Sequence, residues 1–272
     1  MAIGNSGLQV ARLKPKRPPA MKKTRIAVQI YEIQDPREAE GVIELGVDRI
    51  GSVILSEKDW KSPAVKEAIL VSKASRVKHS LIPLFDTKDV LFQAIEYYEP
   101  DIVHFCESLY TAQGGGMPWE ALVELQISIK ERFPRIELMR SVPIPTPTSI
   151  ERIPTLEIAR RFEAASDYFL TDTWLGNEPV EGYLGITGFT CNWISAGRLV
   201  ESSSIPVILA GGLSPENVYE GVMAVKPFGV DSCTGTNARD GNGKPVRFKK
   251  DYEKVKVFVK EVRRAEKDLF DS

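Results

Sequence analysis

The chain is poor in cysteine and histidine. Its three cysteines, Cys106, Cys191 and Cys233, lie far apart, no Cys-x-x-Cys pair occurs, and the only histidines are His79 and His104. That excludes a disulfide framework and the usual zinc modules, and the odd count fits a reducing, cytoplasmic setting. No apolar run reaches the ~18 residues of a membrane span. No sign of charge dominates either: 36 basic residues stand against 37 acidic ones, so no overall field draws nucleic acid. The first predicted strand runs into Tyr31-Glu32-Ile33-Gln34 without a glycine. A doubly wound dinucleotide-binding sheet would carry its glycine fingerprint there. No motif asks for a metal or a cofactor. Monomer and homodimer both remain open.

Residues 1–22 carry Lys14-Pro15-Lys16-Arg17-Pro18-Pro19 and no apolar core. They read as a flexible basic tail, free or acting as a contact arm, and not as a secretory signal. Residues 23–272 read as one domain.

What the chain does have is a repeated alternation of two patterns. Short, continuously apolar runs at residues 25–31, 49–55, 80–85, 101–106, 136–142, 168–172, 206–210 and 228–231 suit strands buried on both faces. A helical pattern follows each. The first begins at Asp35-Pro36 and ends at Gly46, the second opens at Ser62-Pro63, and the others cover residues 87–98, 118–132, 149–164, 192–200, 214–225 and 251–267. Asp or Ser at the cap with proline in the first turn is a start signal. Eight such units predict a single (β/α)8 TIM barrel of the α/β class.

The most informative stretch lies late in the chain. Val207-Ile208-Leu209-Ala210 is a buried strand, Gly211-Gly212 a tight turn, and Ser214-Pro215 a helix start. The next strand runs into Cys233-Thr234-Gly235. Glycine lets backbone approach a ligand closely, and two successive small-residue turns at one barrel face can gather N–H groups around a phosphate. The plain alternative is a pair of tight connections. The reading adopted is phosphate binding by Gly211, Gly212, Ser214, Cys233, Thr234 and Gly235, and hence a small phosphorylated substrate.

Chemistry in such barrels sits at the C-terminal strand ends. Asp172 closes an apolar strand, where a carboxylate needs a task or a partner, and a long loop with four glycines follows it. Asp172 either acts on substrate or caps that loop. Asp231 either orients a substrate hydroxyl or pairs with Arg140. Gln29 and Arg140 complete the polar substrate candidates. Tyr31 shares a face with Gln29. Cys106 and Cys233 are thiolate candidates or simply small buried residues, and His104 reads as a wall residue.

These stretches resemble phosphoribosylanthranilate isomerase. The resemblance is carried by Gly211-Gly212-Leu213 with Pro215-Glu216-Asn217-Val218, by Pro227-Phe228-Gly229-Val230-Asp231 with its small loop, by Thr171-Asp172-Thr173, by Gly185-Ile186-Thr187-Gly188 and by Lys250-Asp251 with Phe258-Val259-Lys260. It spans most of residues 25–265. It implies a barrel isomerase of tryptophan biosynthesis that turns an aminoaldose into an aminoketose, with Asp172 as general acid. The family's general base, a cysteine on the first strand, falls on Tyr31, whose phenol with a pKa near ~10 is a weak base. Glu32 stands where a glycine normally follows. Trp60 lies near the position of the arginine that grips the substrate carboxylate, so Lys58 or Lys61 is its candidate replacement. Glu107, Cys106 and Glu32 are candidate replacement bases. The expected function is proton-transfer isomerisation of a phosphoribosyl-like substrate. A different phosphosugar epimerase or lyase, or a non-catalytic phosphosugar binder, is the alternative.

Overall fold

The computed structural model describes residues 25–110, 119–150 and 152–271. The expected tail, residues 1–22, lies outside them. Eight parallel strands close in chain order: β1 (Ala27–Ile30), β2 (Arg49–Ile54), β3 (Lys78–Pro83), β4 (Ile102–Phe105), β5 (Glu137–Pro145), β6 (Tyr168–Trp174), β7 (Val207–Leu209) and β8 (Gly229–Ser232). β8 returns to β1 with Gln29 opposite Asp231 and Ile30 opposite Ser232. The chain is a (β/α)8 barrel.

The helices that wrap it are α1 (Pro36–Glu44), α2 (Pro63–Ser75), α3 (Lys88–Tyr98), α4 (Trp119–Arg132), α5 (Thr155–Phe162), α6 (Trp193–Ser202), α7 (Val218–Val225) and α8 (Tyr252–Phe270). Their starts follow local chemistry. The Asp35 carboxylate accepts from the N–H of Arg37 and Glu38, and Pro36 fills the first turn. Ser62 caps α2 ahead of Pro63, Asn192 caps α6, and Asp251 caps α8. These side chains satisfy N–H groups that a helix start leaves unpaired.

Two starts differ from expectation. α5 begins only after Pro154, because the proline ring blocks a helix that would run through it from residue 149. α7 begins at Val218, not Ser214. Asn217 Oδ1 takes the Ser214 N–H (2.8 Å) and its Nδ2 donates to Gly212 O (3.0 Å), which locks residues 214–217 as a separate turn. A two-stranded antiparallel hairpin, β9 (Asn237–Arg239) and β10 (Pro245–Lys250), lies between β8 and α8. Its polar, glycine-rich sequence reads as loop.

Strand alternation divides side chains between the barrel interior and the layer under the helices. The outward set packs against the helices through residues such as Ile30, Val142, Phe169, Leu209, Val222, Phe258 and Val262, all buried. Arg140 belongs to this outward set. Its guanidinium pairs with Glu107, takes Gln126 Oε1 of α4 as acceptor (2.8 Å), and lies over the rings of Phe105 and Phe162. It is fully buried and faces away from the mouth. No helix among the described residues is long and apolar enough to cross a membrane.

Candidate active site

The cavity opens at the C-terminal ends of the strands and has two joined parts. One is lined by Gly211, Gly212, Thr234, Gly235 and loop residues Thr187 and Gly188. The other lies over β1–β4, with Tyr31, Val53, Ile82, His104 and Cys106 in its wall. Asp172, Ile186, Asp231 and Cys233 line both.

The two glycine-bearing turns do converge. The Ser232 hydroxyl donates to Leu213 O (2.8 Å). A Cβ on Gly235 would sit 2.2 Å from the same carbonyl, so only glycine permits this approach. Gly211 and Gly212 adopt left-handed φ of 89° and 63°. Among the described residues the N–H groups of Gly212, Thr234 and Gly235 meet no acceptor, which leaves them available to an anion. Ser214 is different: its N–H is taken by Asn217. It supports the turn and lines an outer recess together with Gly212, Thr234, Gly235, Arg239 and Lys254.

The long loop after β6 covers this face. It is tied to the end of β4, with Leu184 N donating to Cys106 O (2.7 Å) and Ser108 N to Gly182 O (2.8 Å). Farther along, Thr173 Oγ1 donates to Phe189 O (2.6 Å). Gly185 passes directly over Asp172: a Cβ there would meet Asp172 Oδ2 at 2.2 Å. The loop residues Val180, Tyr183 and Leu184 in the cavity wall escaped the sequence reading, and Ile186 entered it only within the Gly185–Gly188 motif. The glycines that let the loop bend were their only signal.

Asp172 and Asp231 end neighbouring parts of the interior face and meet the same space. Asp172 is half-buried, and its Oδ1 accepts from Thr173 N (2.9 Å). Burial raises its pKa to about 7. Asp231 is buried and accepts from Gln29 Nε2 (3.1 Å). Burial, with the Asp172 charge in support, raises its pKa to about 8. Desolvation disfavours each carboxylate and their proximity disfavours ionising both. Gln29 therefore orients Asp231 and does not line the cavity. Asp231 pairs with Gln29, not with Arg140.

Tyr31 points inward from the end of β1. Its ring lies on Gly51, where a Cβ would come within 2.1 Å of it. Its hydroxyl bonds Ser80 Oγ (2.5 Å) and His104 Nδ1 (2.7 Å), and His104 Nε2 bonds Ser141 Oγ (2.9 Å). The chain of bonds from Ser80 through Tyr31 and His104 to Ser141 can be donated in either direction, with His104 neutral in both. Burial holds His104 down at about 3 and pushes the Tyr31 phenol well above its ordinary value. Neither group is poised to accept a proton from carbon near neutrality. Burial likewise pushes up the thiols of Cys106 and Cys233, which keeps them protonated.

Glu32 has φ 65°, the left-handed backbone that a glycine adopts freely. Arg247 (2.7 Å) and Asn237 (3.0 Å) of the hairpin hold its carboxylate. Burial alone would raise its pKa, but those hydrogen bonds and Lys250 keep it below the ordinary value. A carboxylate so engaged is a tether and a poor base. Glu107 is occupied by Arg140. Lys61 lies over the Trp60 ring at 5.0 Å, and neither it nor Lys58 lines the cavity.

The family model described as N-(5'phosphoribosyl)anthranilate (PRA) isomerase matches residues 124–261. That is half of the chain, and it includes β6–β8 with both turns. The chain belongs to this family. The N-(5'-phosphoribosyl)anthranilate isomerase of Methanosarcina acetivorans is 28% identical over 255 residues, covering 91% of this chain and 96% of that protein. The enzyme of that name from Moorella thermoacetica is 30% identical, covering 89% and 91%. The phosphoribosylanthranilate isomerase structure from Thermotoga maritima superposes with a TM-score of 0.64 at 22% identity, over 88% of this chain and 99% of that one. The structural likeness bears on the fold, and the sequence matches carry the family.

Proposed function

We propose that this barrel is an aldose–ketose isomerase that converts an N-(5'-phosphoribosyl)amine into the 1-amino-1-deoxyribulose 5-phosphate. The observation that carries the reading is the placement of two carboxyls with raised pKa in one cavity beside two turns with free N–H groups. The turns hold the phosphate dianion. Near neutrality the two carboxyls share about one proton, held more on Asp231, and the reactive arrangement is the less populated one with that proton on Asp172 and Asp231 ionised.

In this scheme Asp172 gives its proton to the ring oxygen as the nitrogen lone pair opens the C1–O bond, which leaves an iminium at C1. Asp231 takes the proton from C2, the C2–H electron pair forms the C1–C2 double bond, and the iminium electrons return to nitrogen. The resulting enolamine gains a proton at C1 and loses the C2 hydroxyl proton to give the ketone. No proton is gained or lost overall. Tyr31, His104 and the loop over Gly185 wall the site from water.

The test is turnover of N-(5'-phosphoribosyl)amines, phosphoribosylanthranilate among them, by the full chain and by Asp172→Asn and Asp231→Asn. Wild-type turnover that both variants lose is the expected result. Turnover unaffected by both substitutions would overturn the assignment of the carboxyls. Binding without turnover would make the protein a phosphosugar binder.

A further inference from the structure

A row of inward side chains across β8, β1 and β2 has a break in its hydrogen bonding. Gln29 lies opposite Asp231 on one side and opposite Arg49 on the other. Its Nε2 donates to Asp231 Oδ1 (3.1 Å). Its Oε1 is buried, and among the described residues no donor reaches it. Arg49 has the complementary lack: its Nη1 is buried and meets no acceptor. The two residues are only 1% and 5% exposed. Buried polar atoms rarely stay unpaired. A donor and an acceptor that face each other without touching are the pair that one buried water joins.

The interior holds Arg49 firmly. Its guanidinium lies over the rings of Tyr168 (4.2 Å) and Phe228 (5.5 Å), within the cluster that includes Tyr31. Lys78 also reaches the Tyr168 ring but pairs with Glu137. An arginine has only donors, whereas an amide has a donor end and an acceptor end. With Arg49 on the β2 side, the Gln29 amide keeps its carbonyl there and its N–H towards Asp231. Without that donor the amide is free to turn over and accept from a protonated Asp231. Arg49 thereby decides which state of Asp231 the amide serves.

We propose that Arg49 is a positioning residue for the isomerisation: through one buried water it holds the Gln29 carbonyl, so that the amide N–H favours the ionised, proton-accepting form of Asp231. The inference rests on the reading of Asp231 as the base and adds what raises the population of the reactive arrangement. Asp172 opposes that ionisation by its charge, and Lys250 assists it. Tyr31 and Cys233, the other titratable neighbours of Asp231, are kept neutral by burial.

NMR titration of the aspartate carboxyl carbons in the full chain reads Asp231 apart from turnover, its signal identified by its loss in Asp231→Asn. Arg49→Met is expected to raise the Asp231 midpoint by about one pH unit or more. Arg49→Lys, which keeps charge and donors, should give about half that shift or less. Gln29→Leu should raise the midpoint too, and Arg49→Met on that background should add little, because both cut one chain of bonds. A midpoint unmoved by Arg49→Met, or two shifts that simply add, overturns the proposal. A crystal structure of wild type tests it without any substitution. A water bonded to both Arg49 Nη1 and Gln29 Oε1 is expected, and Nη1 bonded to another acceptor overturns the proposal. In turnover, Arg49→Met should lower kcat/KM for a phosphoribosylamine about tenfold and move the alkaline limb of its pH profile upward, which lost packing alone would not do. No turnover by wild type would overturn the phosphoribosyl reading, and the titration would still decide the role of Arg49.

Discussion

The two ends of the cavity are made of different materials. At the β7–β8 end the cavity-facing groups include backbone amides, held by glycines and by Ser232 and Asn217. At the β1–β4 end they are side chains: a phenol, an imidazole, a thiol and aliphatic groups. A site made of backbone depends on φ values and close approaches that few residues allow, so it leaves a legible motif. A site made of side chains can be rebuilt one residue at a time while the barrel stays closed. Tyr31 illustrates this, because Gly51 across the strand makes room for its ring. The contrast separates a wall fixed by backbone geometry from one fixed by side chains.

The sharpest test of the contrast is the residue between the two ends. Asp172→Asn should lower kcat for a phosphoribosylamine by about 10²–10⁴-fold and leave phosphate affinity, read by calorimetry, nearly unchanged. Loss of phosphate affinity as well would place Asp172 in the anion site.

The next effect falls on stability. Arg140→Met should cost roughly 3–5 kcal/mol by denaturant unfolding, because it leaves Glu107 buried and unpaired, and adding Glu107→Leu should recover most of it. An Arg140→Met enzyme that folds normally but has a raised KM would return Arg140 to the substrate.

Gly235→Ala tests the backbone-built end. Its Cβ would force the turn off the Leu213 carbonyl, a strain of about 1–3 kcal/mol. The expected result is a KM raised by about tenfold, at about 1.4 kcal/mol per tenfold, with kcat little changed. Unchanged KM would mean that the turns do not carry the phosphate.

Acidity gives a smaller effect with a definite sign. The folded pKa values of Asp172 and Asp231, about 7 and about 8, lie above that of an unfolded aspartate near ~3.9. Between those values the native state holds more protons than the unfolded chain. Stability of the unliganded protein should therefore be greatest at the acid end of this window and fall as pH rises to about 8. Water reaching half-exposed Asp172 softens the slope. Thermal unfolding of the Asp172→Asn, Asp231→Asn double variant should lose this component. The kcat/KM profile of wild type should be a narrow bell between the two values.

The smallest change is expected at the rebuilt end. Tyr31→Phe should alter kcat by less than about threefold, since its phenol holds its proton too tightly to act as a base. It should cost about 1–3 kcal/mol of stability by leaving Ser80 and His104 short of a partner. A drop as large as that of Asp172→Asn would move the base to β1.

Much of this was legible in the residues. Continuous apolar runs marked the strands, caps and prolines marked most helix starts, and the glycine turns marked two loops that converge at the cavity. Arg140 was not legible, because a one-residue shift along a strand exchanges interior for exterior and the end of β5 was uncertain by more than that. The register of Arg140 beside Phe105 decides it. The turn before α7 depends on a side-chain bond from Asn217 that competes with helix formation. The hairpin of β9 and β10 is held by tethers to Glu32 that no local pattern records.

Those tethers give the barrel a clasp. Glu32 keeps its left-handed bend through partners 205 and 215 positions away in the chain. The end of the first strand is thereby fastened to the last part of the barrel, beside the cavity that Glu32 lines. Swapping the fastener there would retune the mouth without touching the frame.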